Sequence, residues 1–423
     1  MLRLRHVVWR QKGTDMRTLP PLGLILVFTL SSLSASDWPR WRGPSGDGQA
    51  DPAQKVPEKW SDSEKVVWRA PLRGRGHSSP TVVGNRIFLT TADATAQEQL
   101  VLCLDRATGR ELWSTVVHRG NLDSGNHRLS SPAASSVTWD GERAYINFPN
   151  GKGIHTSALD ASGRILWQRR IGDFVMHQGF GSSPVVHGEV VLVSADHRGG
   201  GVIKGLNRRT GEVVWSHDRP KIPNYTTPAI INVAGRTQAV LAGCNLITSL
   251  DPLTGKKIWE VDGATEECVT TAVTDGRRVF VSGGYPKNNT TAVEADGSGR
   301  IAWQNNTRVY VPSKLVREGH VYALLDAGQA VCWKSDTGEE LWREKVDRDF
   351  YGSPVMLGDR IFVTNQRAVT SVLQVSPKGM KLIAQNKLGD ESLSSPSICG
   401  NRIYLRAAKT APERQEYLWA IGD

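Results

Sequence analysis

The segment LDRATGRELW, from Leu104 to Trp113, decides the fold, because a closely similar segment, LDPLTGKKIW, returns from Leu250 to Trp259. In both segments a strand-like start runs into a glycine, and a tryptophan lies four residues after that glycine. The glycine supplies the positive φ that a tight turn needs, and the tryptophan then lies on the second strand of a hairpin. Each segment therefore predicts two antiparallel strands joined by a short turn.

The same glycine-to-tryptophan spacing occurs six times along the chain. The glycines are Gly109, Gly163, Gly211, Gly255, Gly299 and Gly338, the tryptophans that follow them are Trp113, Trp167, Trp215, Trp259, Trp303 and Trp342, and Trp68 precedes the first unit. Successive tryptophans are 39 to 54 residues apart, and this period fits four short strands per unit. We expect these glycines and tryptophans to dock neighbouring units of a repeat protein on one another.

A second marker, a pair of small hydroxyl residues before a proline, gives the number of units. Such starts, some of them degenerate, lie at Ser78–Pro80, Ser130–Pro132, Ser182–Pro184, Thr226–Pro228, Thr270–Ala272, Val311–Ser313, Gly352–Pro354 and Ser394–Pro396. Eight starts predict an all-β, eight-bladed β-propeller of four-stranded antiparallel blades. The last unit stops after Tyr417–Ile421, without its tryptophan strand, and Lys65–Trp68 has the character of that strand. We therefore expect the N-terminal strand to join the C-terminal blade and close the ring.

Three segments follow from this interpretation: residues 1–36 as a signal peptide, residues 37–60 as an N-terminal extension packed on the propeller, and residues 61–423 as the propeller. The apolar run Leu22–Leu30 follows basic residues and precedes small ones, as in a signal peptide, and it is too short to span a bilayer. Met16 is a more typical signal start than Met1. Because the first cysteine is Cys103, no lipid-acceptor cysteine follows the apolar run. The sequence predicts a periplasmic or secreted monomer without a membrane span.

Charge and cysteine usage narrow the classes of function. The formal net charge is +10. The sequence contains no run of Lys and Arg of the kind that binds along a phosphate backbone, so we do not expect a nucleic-acid partner. The five cysteines are widely spaced, and none forms a CxxC or CxxCH motif. We interpret them as small apolar core residues.

Candidate ligand-binding residues lie on the loops that lead into each blade and surround the central funnel. They are His77, His127, Arg128, His177, Asp196, His197, Glu267, Tyr310, Tyr351, Arg367 and Glu391, and the same loops also carry Tyr225, Arg308, Asp326 and Asp349. Histidine titrates near neutral pH and carboxylates bind hard cations, so the set could serve acid–base chemistry or a metal ion. Every blade must place polar residues on this face, however, so a solvated rim without catalysis predicts the same set. We assign no catalytic residue.

The repeats resemble the PQQ-like (pyrroloquinoline quinone) propeller family, whose consensus is Ala-x-Asp-x-x-Thr-Gly-x-x-x-Trp. Asp105, Thr108, Gly109 and Trp113 match this consensus in register, and so do the corresponding residues from Asp251 to Trp259. The resemblance covers about residues 60 to 423. The segment Asp37–Pro44 also resembles the start of secreted propellers of this type in planctomycete-like bacteria.

The resemblance implies two competing functions. The propeller subunit of the outer-membrane barrel-assembly machinery uses this repeat as a lipid-anchored scaffold without a cofactor. Quinoprotein alcohol dehydrogenases use eight blades around PQQ and Ca²⁺, with an aspartate base and a disulfide between adjacent cysteines. The present chain has no adjacent cysteines, so we favour an exported, non-catalytic binding or assembly scaffold for a protein or glycan partner, without a cofactor. The calcium–quinone hypothesis stays open and requires at least two of Asp196, Glu267, Asp349 and Glu391 to approach the central axis.

Overall fold

The repeating hairpins form a ring of eight four-stranded blades in the computed structural model, which describes residues 37–122 and 127–423. The eight-bladed antiparallel propeller is therefore confirmed. The seventh blade carries one additional short strand, which pairs with it in parallel. The predicted signal peptide, residues 1–36, lies outside the described residues. No part of the chain that the structure describes forms a helix with the length and apolarity that a membrane crossing requires.

The strands are numbered in chain order. Two of them precede the first innermost strand: β1 (Gln49–Ala50) and β2 (Val66–Leu72). Blades 1 to 3 contain β3 (Thr81–Val83), β4 (Arg86–Asp93), β5 (Glu98–Asp105), β6 (Glu111–Arg119), β7 (Thr138–Trp139), β8 (Arg143–Asn150), β9 (Gly153–Asp160), β10 (Ile165–Asp173), β11 (Val185–His187), β12 (Val190–Ser194), β13 (Gly201–Asn207) and β14 (Val213–Arg219). Blades 4 to 6 contain β15 (Ala229–Val233), β16 (Arg236–Gly243), β17 (Leu246–Leu250), β18 (Lys257–Asp262), β19 (Val273–Thr274), β20 (Arg278–Gly283), β21 (Asn289–Glu294), β22 (Ile301–Asn305), β23 (Leu315–Arg317), β24 (His320–Leu324), β25 (Gln329–Lys334) and β26 (Glu340–Lys345). Blade 7 contains β27 (Val355–Leu357), β28 (Arg360–Thr364), β29 (Val369–Ser376) and β30 (Gly379–Lys387), and the last three strands are β31 (Ser397–Cys399), β32 (Arg402–Lys409) and β33 (Gln415–Ile421).

The first strand of each blade lies nearest the central axis, because first strands of neighbouring blades, such as β3 and β7, contact each other. The second and third strands form the core, and every residue of β21 is buried. The fourth strands form the outer rim and are largely exposed, as in β6. Burial is thus greatest in the middle strands and lowest at the outer rim, and the loops entering the first strands are the ones that reach the central channel.

Blade 8 takes its outer strand from the other end of the chain. β2 pairs antiparallel with β33, from Val66 opposite Ile421 to Leu72 opposite Glu416. β33 continues the sheet to β32 and β31. The pairing joins both ends of the propeller in one sheet, so blade 8 has four strands like the other blades.

The Asp-x-x-Thr-Gly motif is a turn built on a side-chain cap. Asp105 Oδ1 accepts hydrogen bonds from the backbone N–H groups of Ala107 and Thr108, at 3.1 and 2.9 Å, and from the Thr108 hydroxyl at 2.8 Å. Gly109 follows with a φ of +74°, a conformation that favours glycine. The cap holds the turn in the geometry that starts the outer strand.

The repeat tryptophans contact the turn of the next blade. Trp113 Nε1 in blade 1 donates to the carbonyl oxygen of Ala161 in blade 2 at 3.1 Å. A Cβ on Gly163 would lie 2.7 Å from the Trp113 ring, so the indole packs directly on that glycine. Trp303 repeats the pattern against Ser335 and Gly338. In these blades the glycine-to-tryptophan spacing is explained by the contact of each indole ring with the glycine turn of the next blade.

Trp259 is arranged differently from the other repeat tryptophans. Its Nε1 donates to Gln238 Oε1 of its own blade at 2.8 Å, and Gly299 faces Val261. Trp259 is still buried in an apolar cluster that includes Val293 of blade 5. The blade 4–blade 5 contact therefore uses an aliphatic side chain where Gly109, Gly163, Gly211, Gly255 and Gly338 each face an indole ring.

The paired hydroxyl residues form a belt of hydrogen bonds around the channel. The backbone N–H of one innermost strand donates to a Ser or Thr hydroxyl of the next blade, at 2.7 to 3.1 Å, in the links Ser79–Ser136, Ser136–Ser183, Ser183–Thr227, Thr271–Ser313, Ser313–Ser353, Ser353–Ser395 and Ser395–Ser79. In blade 2 the participating residue is Ser136, and β7 begins only at Thr138. The start expected at Ser130–Pro132 was therefore wrong; that motif belongs to the preceding loop.

Candidate functional site

The innermost strands surround a central cavity of about 500 Å³. Its wall is formed largely by aromatic and small polar side chains from the loops that enter these strands. The aromatic members are Trp41, Phe180, Tyr225, Tyr310, Phe350 and Tyr351, and the charged members are Arg308, Asp326 and Asp349. Cavities of this size, apolar with a few fixed polar groups, are typical of ligand sites.

The N-terminal extension supplies the floor of this cavity. Trp38 pairs with Val82 of blade 1, whereas Trp41 Nε1 donates to Thr271 Oγ1 of blade 5 at 2.9 Å. Blades 1 and 5 lie on opposite sides of an eight-bladed ring, so the chain crosses the channel between these two tryptophans. Because Trp41 also lines the cavity, its indole closes that end of the channel.

Four of the predicted site residues line the cavity: His77, His127, Tyr310 and Tyr351. Burial, followed by the guanidinium groups of three arginines, lowers the pKa of His77 well below its usual value. Burial, followed by the charge of Glu267, raises the pKa of Tyr310. His77 is therefore a neutral imidazole and Tyr310 a neutral phenol at neutral pH, and both act as hydrogen-bonding groups.

Glu267 and His177 lie directly behind the wall. Glu267 Oε2 accepts a hydrogen bond from Tyr310 Oη at 3.3 Å, and Glu267 Oε1 lies 3.2 Å from His177 Nε2. The same His177 nitrogen lies 2.9 Å from Nη2 of Arg198. One imidazole nitrogen cannot accept from Arg198 and donate to Glu267 at once, so the tautomer of His177 decides which of the two contacts is a hydrogen bond. The network positions Tyr310 from behind.

Asp196 and His197 serve the interior of the propeller and do not line the cavity. Asp196 forms an ion pair with Arg219 at 3.2 Å, and the side chains of both are at most 2% exposed. His197 Nδ1 accepts hydrogen bonds from the backbone N–H groups of Val175 and Gly199, at 3.2 and 3.1 Å. Both residues therefore hold loops in place.

The remaining three predicted residues lie on the rim. Arg128 is exposed, and its neighbour His127 is the one that lines the cavity. Arg367 Nη2 donates to Asp347 Oδ1 at 2.7 Å. Glu391 accepts from Arg414 at 2.8 Å. Arg367 and Glu391 therefore form surface ion pairs, and Arg128 faces solvent.

Sequence reasoning missed Trp41 as a member of the cavity wall. The segment lies far outside the repeats, and nothing in their spacing predicts that it crosses the channel. The one available signal was the tryptophan pair at positions 38 and 41, which an extended segment on the propeller surface explains equally well. Asp326 lies on a loop that the repeats did identify; burial raises the pKa of its carboxyl, while its oxygens accept the N–H groups of Tyr310 and Val311.

The wall does not fit the calcium–quinone hypothesis. The hypothesis requires at least two of four named carboxylates at the axis. One of them, Asp349, lines the cavity, while Asp196 and Glu391 are engaged elsewhere and Glu267 lies behind Tyr310. Asp326 also lines the cavity, but its two oxygens already accept backbone hydrogen bonds. In residues 37–122 and 127–423, no three side chains of His, Cys, Asp or Glu converge as metal ligands. We therefore derive no chemistry through this cofactor.

Comparison with known proteins identifies relatives of the chain. The family described as outer membrane protein assembly factor BamB matches residues 59–174, 155–316 and 286–378. A protein named outer membrane protein assembly factor BamB, from Nitrosomonas eutropha, is 24% identical over 304 residues, which cover 71% of this chain and 60% of that protein. The chain thus spans 60% of the length of this curated relative.

Solved structures share the fold at low sequence identity. BamB from Moraxella catarrhalis has a TM-score of 0.60 and 17% identity, over 84% of this chain and 99% of that one. A europium-containing methanol dehydrogenase has a TM-score of 0.66 and 11% identity, over 92% and 98% of the two chains. The quinohemoprotein alcohol dehydrogenase of Comamonas testosteroni has a TM-score of 0.66 and 13% identity, over 91% of this chain and 80% of that one. Because such a likeness shows the fold alone, family membership depends on the sequence match: the chain belongs to the BamB family of PQQ-like repeat propellers.

Proposed function

We propose that this chain is an exported, non-catalytic binding or assembly scaffold, and that its central cavity receives a segment of a protein partner. The observation that carries the proposal is the cavity itself: about 500 Å³, closed at one end by Trp41 and walled by aromatic side chains. Exposed Arg308 and Asp349 mark its mouth. A partner segment entering the mouth would end against the Trp41 indole.

The chemistry of the wall supports recognition. Tyrosine and tryptophan offer large rigid contact areas with a polar tip, and such side chains dominate binding energy at interfaces. The ionisable groups around them are held in place: Asp326 by backbone amides, and Glu267 by Tyr310 and His177. Groups held in this way orient Tyr310, which suits a preformed binding surface.

The family supports an assembly role, since the matched relatives are named as outer membrane protein assembly factors. The apolar run Leu22–Leu30 supports export to the periplasm or beyond. A protein partner is favoured over a glycan on the strength of the family, and the experiment below separates the two.

The test is site-specific photo-crosslinking in the native host. A photoreactive amino acid replaces Tyr351 in the cavity or, as a control, Val214 on the outer strand of blade 3, which is 53% exposed. We expect one protein adduct from position 351 and none from position 214. The crosslinked protein, once purified, should bind wild-type chain and bind the Tyr310→Ala variant at least about tenfold more weakly, as expected for an interface aromatic.

Two results would overturn the proposal. A glycan adduct without any protein adduct would show that the partner is a saccharide and not a protein. Saturable binding of PQQ and Ca²⁺ with dye-linked alcohol oxidation would replace the scaffold by an oxidoreductase.

A further inference from the structure

The belt of hydroxyl hydrogen bonds leaves unused donors in the wall of the central cavity. Five belt residues line the cavity, and each of their hydroxyl oxygens accepts a backbone N–H from the preceding blade at 2.7 to 3.1 Å. A hydroxyl group also has one proton to donate, and none of these five donates to an acceptor within the described residues. Five blades thus each contribute one free O–H donor, from Ser79, Ser183, Thr227, Ser353 and Ser395.

These donors lie at the depth of the cavity floor. Thr271 occupies the belt position of blade 5, and its hydroxyl accepts the indole N–H of Trp41 at 2.9 Å. Because Trp41 closes this end of the channel, the belt surrounds the point at which an entering segment stops. The Tyr225 hydroxyl, two residues before the belt residue of blade 4, is buried, and it has no acceptor in the part of the chain that the structure describes. It adds a further donor just above the floor.

The carboxylates of the cavity wall lie nearer the mouth. Because the chain enters each innermost strand from the mouth, residues that precede the belt lie above it. Asp349 is exposed and precedes the belt residue of blade 7 by four positions. The two oxygens of Asp326 accept the N–H groups of Tyr310 and Val311, which precede the belt residue of blade 6. The lower part of the cavity therefore offers donors and is lined by no carboxylate of the described residues.

A cationic side chain lies behind the floor. Arg42 follows Trp41 directly and is 3% exposed, and its Nη2 donates to the carbonyl oxygens of Asp47 and Lys314 at 2.5 and 2.6 Å. Its Nε and Nη1 are buried and have no acceptor among the described residues. Burial lowers the pKa of Arg42 to about 10, and the carboxylate of Asp47 opposes this shift. Arg42 is therefore charged at neutral pH, at the end of the cavity where the wall has no carboxylate.

The position of the donors selects the ligand more than their number does. Water in an open cavity can accept from free hydroxyl groups, so the donors alone select nothing. At the closed end, however, they meet the tip of whatever enters, and the charge of Arg42 behind them favours a negative tip. We propose that, for the protein partner proposed above, the entering segment is a chain end whose C-terminal carboxylate reaches the floor and accepts hydrogen bonds from the belt hydroxyls.

The other ways of filling the cavity fit less well. An N-terminal ammonium group has only protons to donate, so it would meet further donors and the charge of Arg42. The tip of a loop brings two flanking strands into a cavity that is closed at one end, and it carries no main-chain carboxylate. Capture of a C-terminal carboxylate by converging donors is a recurring mode of peptide recognition, and hydrogen bonds to an ionised oxygen are stronger than neutral ones.

The first test maps the photo-crosslink from position 351 onto the partner by mass spectrometry. Tyr351 lies two residues before the belt residue Ser353, which is roughly 7 Å of extended chain above the floor. We therefore expect the adduct on one of about the last four residues of the partner.

The inference and the proposed function fail in different ways in this experiment. It depends on the proposed function, so the absence of a protein adduct at position 351 would overturn both. An adduct confined to internal residues of the partner would leave the function in place and overturn the C-terminal assignment alone.

The second test measures binding of synthetic peptides to the full chain by calorimetry. The peptide carries about the last eight residues of the crosslinked partner, with either a free carboxylate or a carboxamide at its end. We expect the carboxamide to bind at least about tenfold more weakly, because it loses the charge-assisted hydrogen bonds. Equal affinities would overturn the proposal. A carboxamide peptide with aspartate as its last residue should also bind weakly; affinity equal to that of the free acid would assign the site to a side-chain carboxylate instead.

Two belt variants show whether the hydroxyl groups read the carboxylate. Ser183→Ala and Ser136→Ala each remove a hydroxyl that accepts a belt N–H at 2.9 Å, but only Ser183 lines the cavity. Both variants disturb the belt equally, so Ser136→Ala controls for general destabilisation. We expect Ser183→Ala to reduce the affinity ratio of free acid to carboxamide by about threefold or more, and Ser136→Ala to preserve it. An unchanged ratio in Ser183→Ala, or the same loss in both variants, would contradict the role of the hydroxyl donors.

Discussion

The contact between a repeat tryptophan and the next glycine turn can be measured in one blade. Gly255 has a φ of +69°, and a Cβ there would lie 2.5 Å from the ring of Trp215 in the preceding blade. Gly235, in another turn of blade 4, has a φ of +76°, and nothing lies within 4 Å of the same hypothetical atom. Alanine at either position meets the same backbone strain, but only at position 255 does it meet the indole.

The two substitutions therefore differ by the contact alone. Forcing an L-residue into the left-handed region costs about 1–2 kcal/mol at both positions. Overpacking against a fixed neighbour adds about 1–3 kcal/mol at position 255. The Trp215 ring has little freedom to retreat, since it is 8% exposed and also packs against Gly205. We expect Gly255→Ala to lower the free energy of unfolding by about 1–3 kcal/mol more than Gly235→Ala does.

Guanidinium chloride unfolding, followed by far-UV circular dichroism, gives the free energies without depending on tryptophan fluorescence. The pair is then repeated in a Trp215→Ala background, where the ring is gone and the excess at position 255 should fall below about 0.5 kcal/mol. Equal costs for the two glycine substitutions, or an excess that persists without Trp215, would refute the assignment of this spacing to contacts between blades.

Three further predictions concern burial and charge. Arg219→Met should lower the free energy of unfolding by about 3–5 kcal/mol, because it leaves Asp196 buried without its ion partner; adding Asp196→Asn should recover part of the loss, and an unchanged denaturation midpoint in the single variant would contradict the reasoning. Burial lowers the pKa of His118 to about 4 from about 6.5 in the unfolded chain, so the unfolded state protonates first as the pH falls. Stability should therefore drop by roughly 1–2 kcal/mol between pH 7 and pH 5 after allowance for partial exposure, and His118→Leu should flatten this part of the profile in chemical denaturation. Trp38→Ala, at a side chain 2% exposed, should cost about 3–5 kcal/mol, while Val214→Ala on the exposed outer strand should stay within about 0.5 kcal/mol; similar melting temperatures for both would show that the extension does not stabilise the ring.

The architecture was predictable because each of its elements repeats a local rule. The cap at Asp105 and the left-handed turn at Gly109 depend on residues within five positions of one another, so their spacing carries over from blade to blade. The paired hydroxyls repeat for a different reason: each must meet the backbone N–H of a neighbouring blade. The start of blade 2 was predicted incorrectly because Ser136 precedes a valine instead of a proline. The segment Ser130–Pro132 matches the motif more closely but belongs to the loop before the strand.

The site was less predictable because position on a loop does not determine which way a side chain points. His77 and His197 come from equivalent faces of the propeller, yet one lines the cavity and the other caps backbone N–H groups inside a loop. Glu267 and Asp326 differ in the same way, since a phenol separates the first carboxylate from the cavity. These outcomes depend on contacts between residues far apart in sequence, which no repeat spacing encodes.

The place where the belt of hydroxyl hydrogen bonds is interrupted connects the repeating architecture to the site. Within the described residues the belt joins successive blades except between Thr227 and Thr271, where the hydroxyl of Thr271 accepts the indole N–H of Trp41 instead. The extension thus docks by taking over one position of a hydrogen-bond pattern that the other blades use to hold each other. In a symmetric ring every blade would offer the Trp41 indole an equivalent hydroxyl. The direction in which the extension crosses the channel is therefore set by the pairing of Trp38 with Val82 and of β1 with β27. The floor of the cavity is therefore placed by the non-repeating segment, and the asymmetry that a specific binding site needs enters the propeller through residues 37–50.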